Sequence, residues 1–553
     1  MHVVFRESRG LEETAVPRDL GQDPADLVML SFSDSDLATF AAGWRRGRES
    51  LPSLRLANLA ELRHPLSVDT YVERTLATTR GVLVRLIGGE PYWSYGLCAL
   101  HRWAKQHHAA LAVLPADGRD DPRLDALSTL PLSTVRRLKA LCDKGGPVAA
   151  QAAIAQLSLA AGLYAGPVIG ELDIPDMGFY DPARGPVDVL PDPGKGPRAL
   201  VTFYRSYLTS ADTAPVDALI SALRAKGFDA YGAFVTSLKA AGVADWLKAH
   251  LKQQPPAAIV NATAFSALGD DGTTPFELAS CPVFQVALST ARREDWAASL
   301  RGLSAGDLAM HVVLPEIDGR VFAGVVSFKS EKIRDADLQF SHLAHQPDDE
   351  RVSAVVARVA AWHGLADKPA SDKKLAIVLS NYPGRPHQMA HAVGLDALAS
   401  VEALLSDLRS AGFDVGAIKD LGHVLLRRDL TWGVDGYHAA LAKLPQSLQD
   451  ELASNWGAVE DDPACRNGEF HFAAVECGHA IVAVQPERGD APTREADYHD
   501  LSRTPRHAYV AFYLWLRSLK IDAVVHMGAH GTLEWLPGKS VALSSCCWPE
   551  ALI

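Results

Sequence analysis

Short apolar runs rich in β-branched residues or leucine alternate with segments of helical period along most of the chain. Asp26–Ser31 and Gly81–Ile87 are two such runs, the second closed by a Gly88-Gly89 break, and the alternation predicts a parallel sheet covered by helices. A strand at Ala199–Phe203 leads through Asp212-Thr213-Ala214-Pro215 into a helix, with Thr213 as cap and Pro215 in the first turn. That helix recurs: Val216-Asp-Ala-Leu-Ile-Ser-Ala-Leu-Arg-Ala-Lys-Gly-Phe-Asp229 returns as Val401-Glu-Ala-Leu-Leu-Ser-Asp-Leu-Arg-Ser-Ala-Gly-Phe-Asp414. Each is an amphipathic helix stopped by Gly ahead of an expected strand, which predicts two copies of a β-α-β unit. A last helix at Ala508–Leu519 and a strand at Ile521–Val525 run straight into His526.

Gly145–Gly170 carries no charge, but it is mostly Ala and Gly, with Gln151 and Gln156 inside and Pro167 near its end, so a buried core helix is expected rather than a membrane span. The predicted fold class is therefore α/β: several Rossmann-like or flavodoxin-like parallel-sheet domains, with a helical segment between the first two. The expected division is an N-terminal α/β domain at 1–140, a helical region and Pro/Gly connector at 141–197, a second α/β domain at 198–365, and the start of a further one at 366–553, incomplete at its C-terminus. The length of 553 residues exceeds what one core supports and fits roughly three or four domains.

Lys and Arg total 54 against 66 Asp and Glu, a net charge of −12 without any basic block, which argues against a nucleic-acid partner. The seven cysteines show no repeated spacing, so reduced thiols are expected. Met1-His-Val-Val-Phe5 is followed at once by Arg6, Glu7 and Arg9, which does not read as a signal peptide, and a cytoplasmic location is the expectation.

Candidate chemistry gathers after two strands. Leu375–Leu379 is followed by a long Gly/His loop, Ser380–Ser400, carrying Gly384, His387, His391 and Gly394. Loops at the carboxyl ends of strands are where α/β sheets bind ligands, so this loop is a site candidate, with a plain surface insertion as the alternative. His526, His530 and Glu534 recur at intervals of four, spaced by Gly528 and Gly531, and would converge on one pocket if the loop turns into a helix. Imidazoles and a carboxylate suit a divalent first-row cation or proton abstraction. Gly538-Lys539-Ser540 imitates the tail of a P-loop, but Leu533 stands where the first glycine is needed and Pro537 removes a donor, so ATP hydrolysis is expected of a partner. Cys465, Cys477 and His479 match no zinc spacing and read as structural.

The motif His526-Met-Gly-Ala-His-Gly-Thr-Leu-Glu-Trp-Leu-Pro-Gly-Lys539, with Tyr498-His-Asp500, Pro505-Arg-His507, Gln485-Pro-Glu-Arg-Gly489, Gly88-Gly-Glu-Pro-Tyr-Trp93 and Asn261-Ala-Thr-Ala-Phe265, resembles the large subunit of the ATP-dependent tetrapyrrole metal chelatases, the CobN and magnesium chelatase H-type family. The resemblance covers the whole chain, and family members run well beyond its length. It implies a ligase that forms nitrogen–metal bonds: Co(II), the substrate metal, enters hydrogenobyrinic acid a,c-diamide on the aerobic route to cobalamin. It also implies that a CobS-type AAA+ ATPase and a CobT-type subunit use ATP and Mg(II). Under it Glu534 is the catalytic carboxylate, His526 and His530 are metal contacts, and His387, His391, Trp535, Lys539 and His507 are contacts to the macrocycle. Metal insertion needs ring nitrogens to lose protons and the metal to shed water, which a carboxylate base and transient imidazole ligands provide. Alternatives are a magnesium chelatase H-type porphyrin binder, a non-catalytic tetrapyrrole binder, and a periplasmic-type small-molecule binder.

Overall fold

The computed structural model describes residues 17–116, 119–190, 194–269, 272–331, 333–380, 394–489, 500–528 and 533–553. His387, His391, His530 and Tyr498 lie outside the described residues. The chain forms two compact units: one runs to Arg293 and takes in Ala309–Phe322 and Val326–Val352, and the other combines Glu294–Leu308 and Ala323–Val325 with Ser353–Ile553.

The first unit opens with β1 (Leu27–Ser31), β2 (Leu54–Asn58), β3 (Gly81–Leu86) and β4 (Ala110–Pro115), an all-parallel sheet in the order β2-β1-β3-β4. Every residue of β1, β3 and β4 is buried, because helices cover both faces and the strands must be apolar throughout. The uncharged stretch becomes the helix Gly146–Ala160, which packs on the helix Asp34–Arg46. The contact is close at Gly43, where a Cβ would fall 2.7 Å from Ala150 Cβ. No helix of the described residues is long and apolar enough to cross a membrane.

The same unit carries an eight-stranded sheet of β5 (Met177–Asp181), β6 (Gly185–Val187), β7 (Arg198–Tyr204), β8 (Asp229–Val235), β9 (Ala258–Asn261), β10 (Val283–Leu288), β11 (Val321–Glu331) and β12 (Leu343–Pro347), in the order β12-β11-β10-β9-β7-β8-β5-β6. The strands from β10 to β8 are parallel and the far edge, β5 and β6, is antiparallel. Thr213 precedes the helix Ala214–Ala225 and Pro215 sits in its first turn, but Thr213 caps no backbone amide. Its hydroxyl pairs instead with the Asp217 carboxylate at 2.9 Å.

The second unit holds β13 (Leu375–Leu379), then β14 (Leu430–Gly433), β15 (Cys465–Arg466), β16 (Glu469–Phe472), β17 (Ala474–Cys477), β18 (Ala480–Val484) and β19 (Ala523–Met527). Its main sheet runs β17-β18-β13-β19, parallel from β18 to β19, with a small antiparallel sheet β14-β16-β15 beside it. The repeated helix is present as Ala397–Ser410, but no strand follows it: Val415 makes one isolated bridge to Gly478, and the chain enters the helix Leu421–Arg427. The expected second β-α-β unit is thus only half repeated, since the place beside β13 is taken by β18 on one side and β19 on the other. One face of this sheet rests on an aromatic core that includes Tyr437, Phe472, Phe512 and Trp548, with Phe472 and Phe512 edge to face at 5.5 Å. All seven cysteines are free.

Candidate functional site

In the sheet of the second unit the chain leaves β13 toward β18 on one side and returns with β19 on the other. The carboxyl ends of β13 and β19 are therefore a topological switch point, where open α/β sheets form a crevice. Leu379 and Met527 are paired there, and the Ser380 amide donates to the Met527 carbonyl at 3.0 Å. Gly528 is forced by space: a Cβ on it would lie 2.7 Å from Ser380 Cβ. The two loops singled out from sequence thus leave one edge of one sheet side by side. Within that edge Ser380 Oγ is buried and finds no hydrogen-bond partner among the described residues.

The sequence pattern puts His526 in the loop, just past the strand. It lies instead inside β19, in register with Val378, because pairing with β13 carries the ladder on to Met527. Alternation along the strand turns His526 to the aromatic face, where its ring stacks on Tyr513 at 6.3 Å and 20°. Its Nε2 lies 3.4 Å from the Tyr513 hydroxyl, which donates to Gln485 Oε1 at 3.3 Å. Which of the two donates is set by the imidazole tautomer. Burial pushes the imidazole below its ordinary value, while the negative charge of Glu534 pulls it the other way.

Glu534 is exposed on a single 3₁₀ turn, Leu533–Trp535. The described part of the segment after β19 is therefore a 3₁₀ turn and not an α-helix. What fixes the turn is Arg488, which donates to the Trp535 carbonyl at 2.5 Å and to the Asp500 carbonyl at 2.8 Å. Trp535 is half-buried beside Glu534.

The remaining expected residues are placed differently. His507 is buried at the start of the helix His507–Ser518, its Nδ1 2.8 Å from the Tyr437 hydroxyl and its Nε2 3.2 Å from the Gly457 carbonyl, and burial lowers its pKa. Both ring nitrogens are engaged in the core. The Lys539 ammonium donates at 2.8 Å to the carbonyls of Ala297 and Ser299 and sits 5.2 Å from the Trp296 ring, tying down the segment Glu294–Leu308 of the same unit. Neither side chain is brought to the His526 crevice. Tyr513, Gln485, Ser380 and Arg488 are not among the residues that the sequence pattern nominates for the site. Gln485 and Arg488 carry a signal as parts of the Gln485–Gly489 motif, and Ser380 as the first residue of the Ser380–Ser400 loop.

Among the described residues no three His, Cys, Asp or Glu side chains form a cluster ready to hold a metal ion. The arrangement offers instead one half-buried imidazole whose pKa is lowered by burial, an exposed carboxylate within its electrostatic reach, and a hydroxyl unpartnered among the described residues, all at one sheet edge. Such a set can take up a cation briefly and accept protons, since an incomplete ligand shell releases what it binds.

Residues 158–553 match the family described as CobN/Magnesium Chelatase. The chain is 36% identical over its whole length to an aerobic cobaltochelatase subunit CobN from Sinorhizobium sp and 34% identical to one from Pseudomonas aeruginosa, covering 46% of each. The H-subunit of the magnesium chelatase from Rhodobacter capsulatus is 25% identical over 69% of the chain, which spans 35% of that relative. Among solved structures, the catalytic subunit of cobaltochelatase from Mycobacterium tuberculosis superposes with a TM-score of 0.77 and 26% identity, over 95% of this chain and 44% of that one. The chain spans about half the length of the cobaltochelatase relatives it matches.

Proposed function

The chain belongs to the CobN/magnesium chelatase family, and from that premise we propose that it is the tetrapyrrole- and metal-binding part of a cobaltochelatase large subunit, acting in the insertion of Co(II) into hydrogenobyrinic acid a,c-diamide for cobalamin. Identity favours the cobalt branch, at 36% for the Sinorhizobium relative against 25% for the Rhodobacter magnesium chelatase. In this reading a CobS-type AAA+ ATPase and a CobT-type subunit supply the ATP and Mg(II) chemistry, in keeping with the lack of a P-loop motif in residues 1–553, and the location is the cytoplasm. The proposed domain limits are those drawn from sequence, at residues 140, 197 and 365.

The observation that carries this reading is His526, held by Tyr513 and Gln485 at the β13/β19 switch point with Glu534 close enough to act on its charge. In the proposed reaction His526 Nδ1 takes a place in the Co(II) shell as water leaves. Glu534 accepts a proton from a ring nitrogen, and the metal passes to the macrocycle. The neutral imidazole needs no deprotonation before it binds, which suits a metal that must be captured and let go near neutral pH. His530 remains a proposed metal contact, and His387, His391 and Trp535 remain proposed contacts of the ring; for Lys539 and His507 the engaged nitrogens favour a supporting role.

The test is a titration of the full chain with hydrogenobyrinic acid a,c-diamide, read by quenching of tryptophan fluorescence, and with Co(II), read by its visible spectrum. The parent chain binds both, while His526→Ala keeps the macrocycle and loses Co(II) affinity by about tenfold or more. Unchanged Co(II) affinity in a folded His526→Ala protein removes His526 from the reaction. Stoichiometric macrocycle binding without metal insertion, even with the ATPase partners and the remainder of a large subunit present, marks a non-catalytic binder.

A further inference from the structure

The eight-stranded sheet of the first unit has its own switch point. From β7 the chain turns to β8 on one side and to β9 and β10 on the other, so the carboxyl ends of β7 and β9 border a crevice. The segment that leaves β9 there is Ala262-Thr-Ala-Phe265. Phe265 has φ of +65°, a left-handed backbone that disfavours a side chain with a Cβ, and it still leaves 38% of its surface to solvent. An exposed aromatic ring on a strained backbone is doubly unfavourable for folding alone.

The strain is imposed by an extensive scaffold. Asp318 and Arg320 form an ion pair in which each side chain is 1% exposed. Asp318 accepts from the Ser266 hydroxyl at 2.5 Å and the Ala267 amide at 2.6 Å, and Arg320 donates to the Phe265 carbonyl at 3.3 Å. From the other side, the Phe265 amide donates to the carbonyl of Met310, within the π-helical turn Ala309–Val313, a geometry frequent at functional sites. On the same clamping segment Val313 and Ile317 are exposed apolar residues. Burying a charged pair to hold one loop in an unfavourable conformation is a poor route to stability. It is a good way to present a ring edge or face at a fixed place.

We infer that Phe265 is a macrocycle-contacting residue: its ring offers an apolar face to the conjugated ring of the tetrapyrrole. The choice of a flat conjugated ligand rests on the function proposed above, and on the chemistry of the presented group, which is aromatic and apolar with no charge at the tip. Phe265 serves binding and orientation and takes no part in proton or metal transfer.

The variant Phe265→Gly tests this, because it removes the ring and the backbone strain together. Hydrogenobyrinic acid a,c-diamide is titrated into the full parent chain, Phe265→Gly and Phe265→Tyr by tryptophan quenching, with the melting temperature of each. The expected result is a Kd raised about tenfold in Phe265→Gly and unchanged within about twofold in Phe265→Tyr. The melting temperature of Phe265→Gly should hold or rise by about 2 °C as the strain is relieved. Binding by Phe265→Gly within about twofold of the parent overturns the inference alone, while a parent chain that binds no macrocycle overturns the proposed function and the inference with it. A melting temperature that falls together with unchanged binding identifies the ring as a structural plug.

Discussion

Two switch points in this molecule are lined by polar side chains, and they are finished in opposite ways. Across β7, β9 and β10, level with the carboxyl end of β9, the residues Thr202, Asn261 and Gln285 are fully buried and hydrogen-bond to one another. Thr202 donates to Asn261 Oδ1 at 2.5 Å, Asn261 donates to Gln285 Oε1 at 2.7 Å, and Gln285 donates to the Thr263 carbonyl at 2.8 Å. At the carboxyl ends of β13 and β19 the contacts are long, 3.3 and 3.4 Å through Tyr513, with Ser380 Oγ unsatisfied among the described residues and Glu534 in solvent. A saturated network fixes backbone, whereas polar atoms with spare valence are what a metal or a ring nitrogen can use. The first crevice is thus a scaffold that aims a loop, and the second is where chemistry can occur.

The comparison breaks first if the scaffold can be dismantled without penalty. Arg320→Met removes the guanidinium and leaves the Asp318 carboxylate buried without its partner, which should lower stability by about 3–5 kcal/mol, since an uncompensated buried charge is among the most destabilising changes available. Urea unfolding of the variant measures it. A loss below about 1 kcal/mol would mean that water reaches the pair and that the loop at Phe265 is not clamped.

The chemical crevice should show the reverse pattern, large effects on reaction and small ones on folding. Glu534→Gln keeps shape and hydrogen bonding and removes the charge. Cobalt insertion, measured with the ATPase partners and the remainder of the large subunit, should fall about 100-fold, equivalent to about 2.7 kcal/mol of barrier. Stability should change by less than about 0.5 kcal/mol because the side chain is exposed. A variant that inserts cobalt at the parental rate returns Glu534 to the surface.

The fold class and most strands are legible because parallel sheets buried on both faces write continuous apolar runs, as in Leu27–Ser31 and Leu375–Leu379. The strand expected after Val401–Asp414 is missing because the helix and its Gly stop repeat faithfully, while whether a strand follows depends on which neighbour reaches the sheet first. The position of His526 within β19 is not legible, since a histidine in a partly buried strand has no periodicity of its own and only the pairing with β13 extends the ladder. Tyr513 is hidden for another reason. It stands in an unbroken apolar stretch, Ala508–Leu516, where its hydroxyl looks like one more aromatic in the core. Arg320 and Asp318, two residues apart in a polar segment, give no hint that both are sealed from water.

Tyr513 makes the finest test of the comparison. Tyr513→Phe keeps the ring on which His526 stacks and deletes only the hydroxyl, so the loss of stability should be small, about 1 kcal/mol. The parent imidazole is held below its ordinary pKa, so the unfolded chain binds the proton that the folded chain refuses. Stability from this group is therefore full above the ordinary histidine range and declines as pH falls toward the lower folded value. Glu534 opposes that shift, and Glu534→Gln should move the His526 titration to still lower pH. In Tyr513→Phe His526 Nε2 loses its hydroxyl partner, the balance between the two tautomers changes, and Co(II) affinity should drop about fivefold while macrocycle binding stays unchanged. Nuclear magnetic resonance of the His526 ring, followed through the titration, separates tautomer from pKa. If the variant keeps the parental tautomer and the parental Co(II) affinity, the contacts around His526 are incidental, and the two crevices differ in packing rather than in purpose.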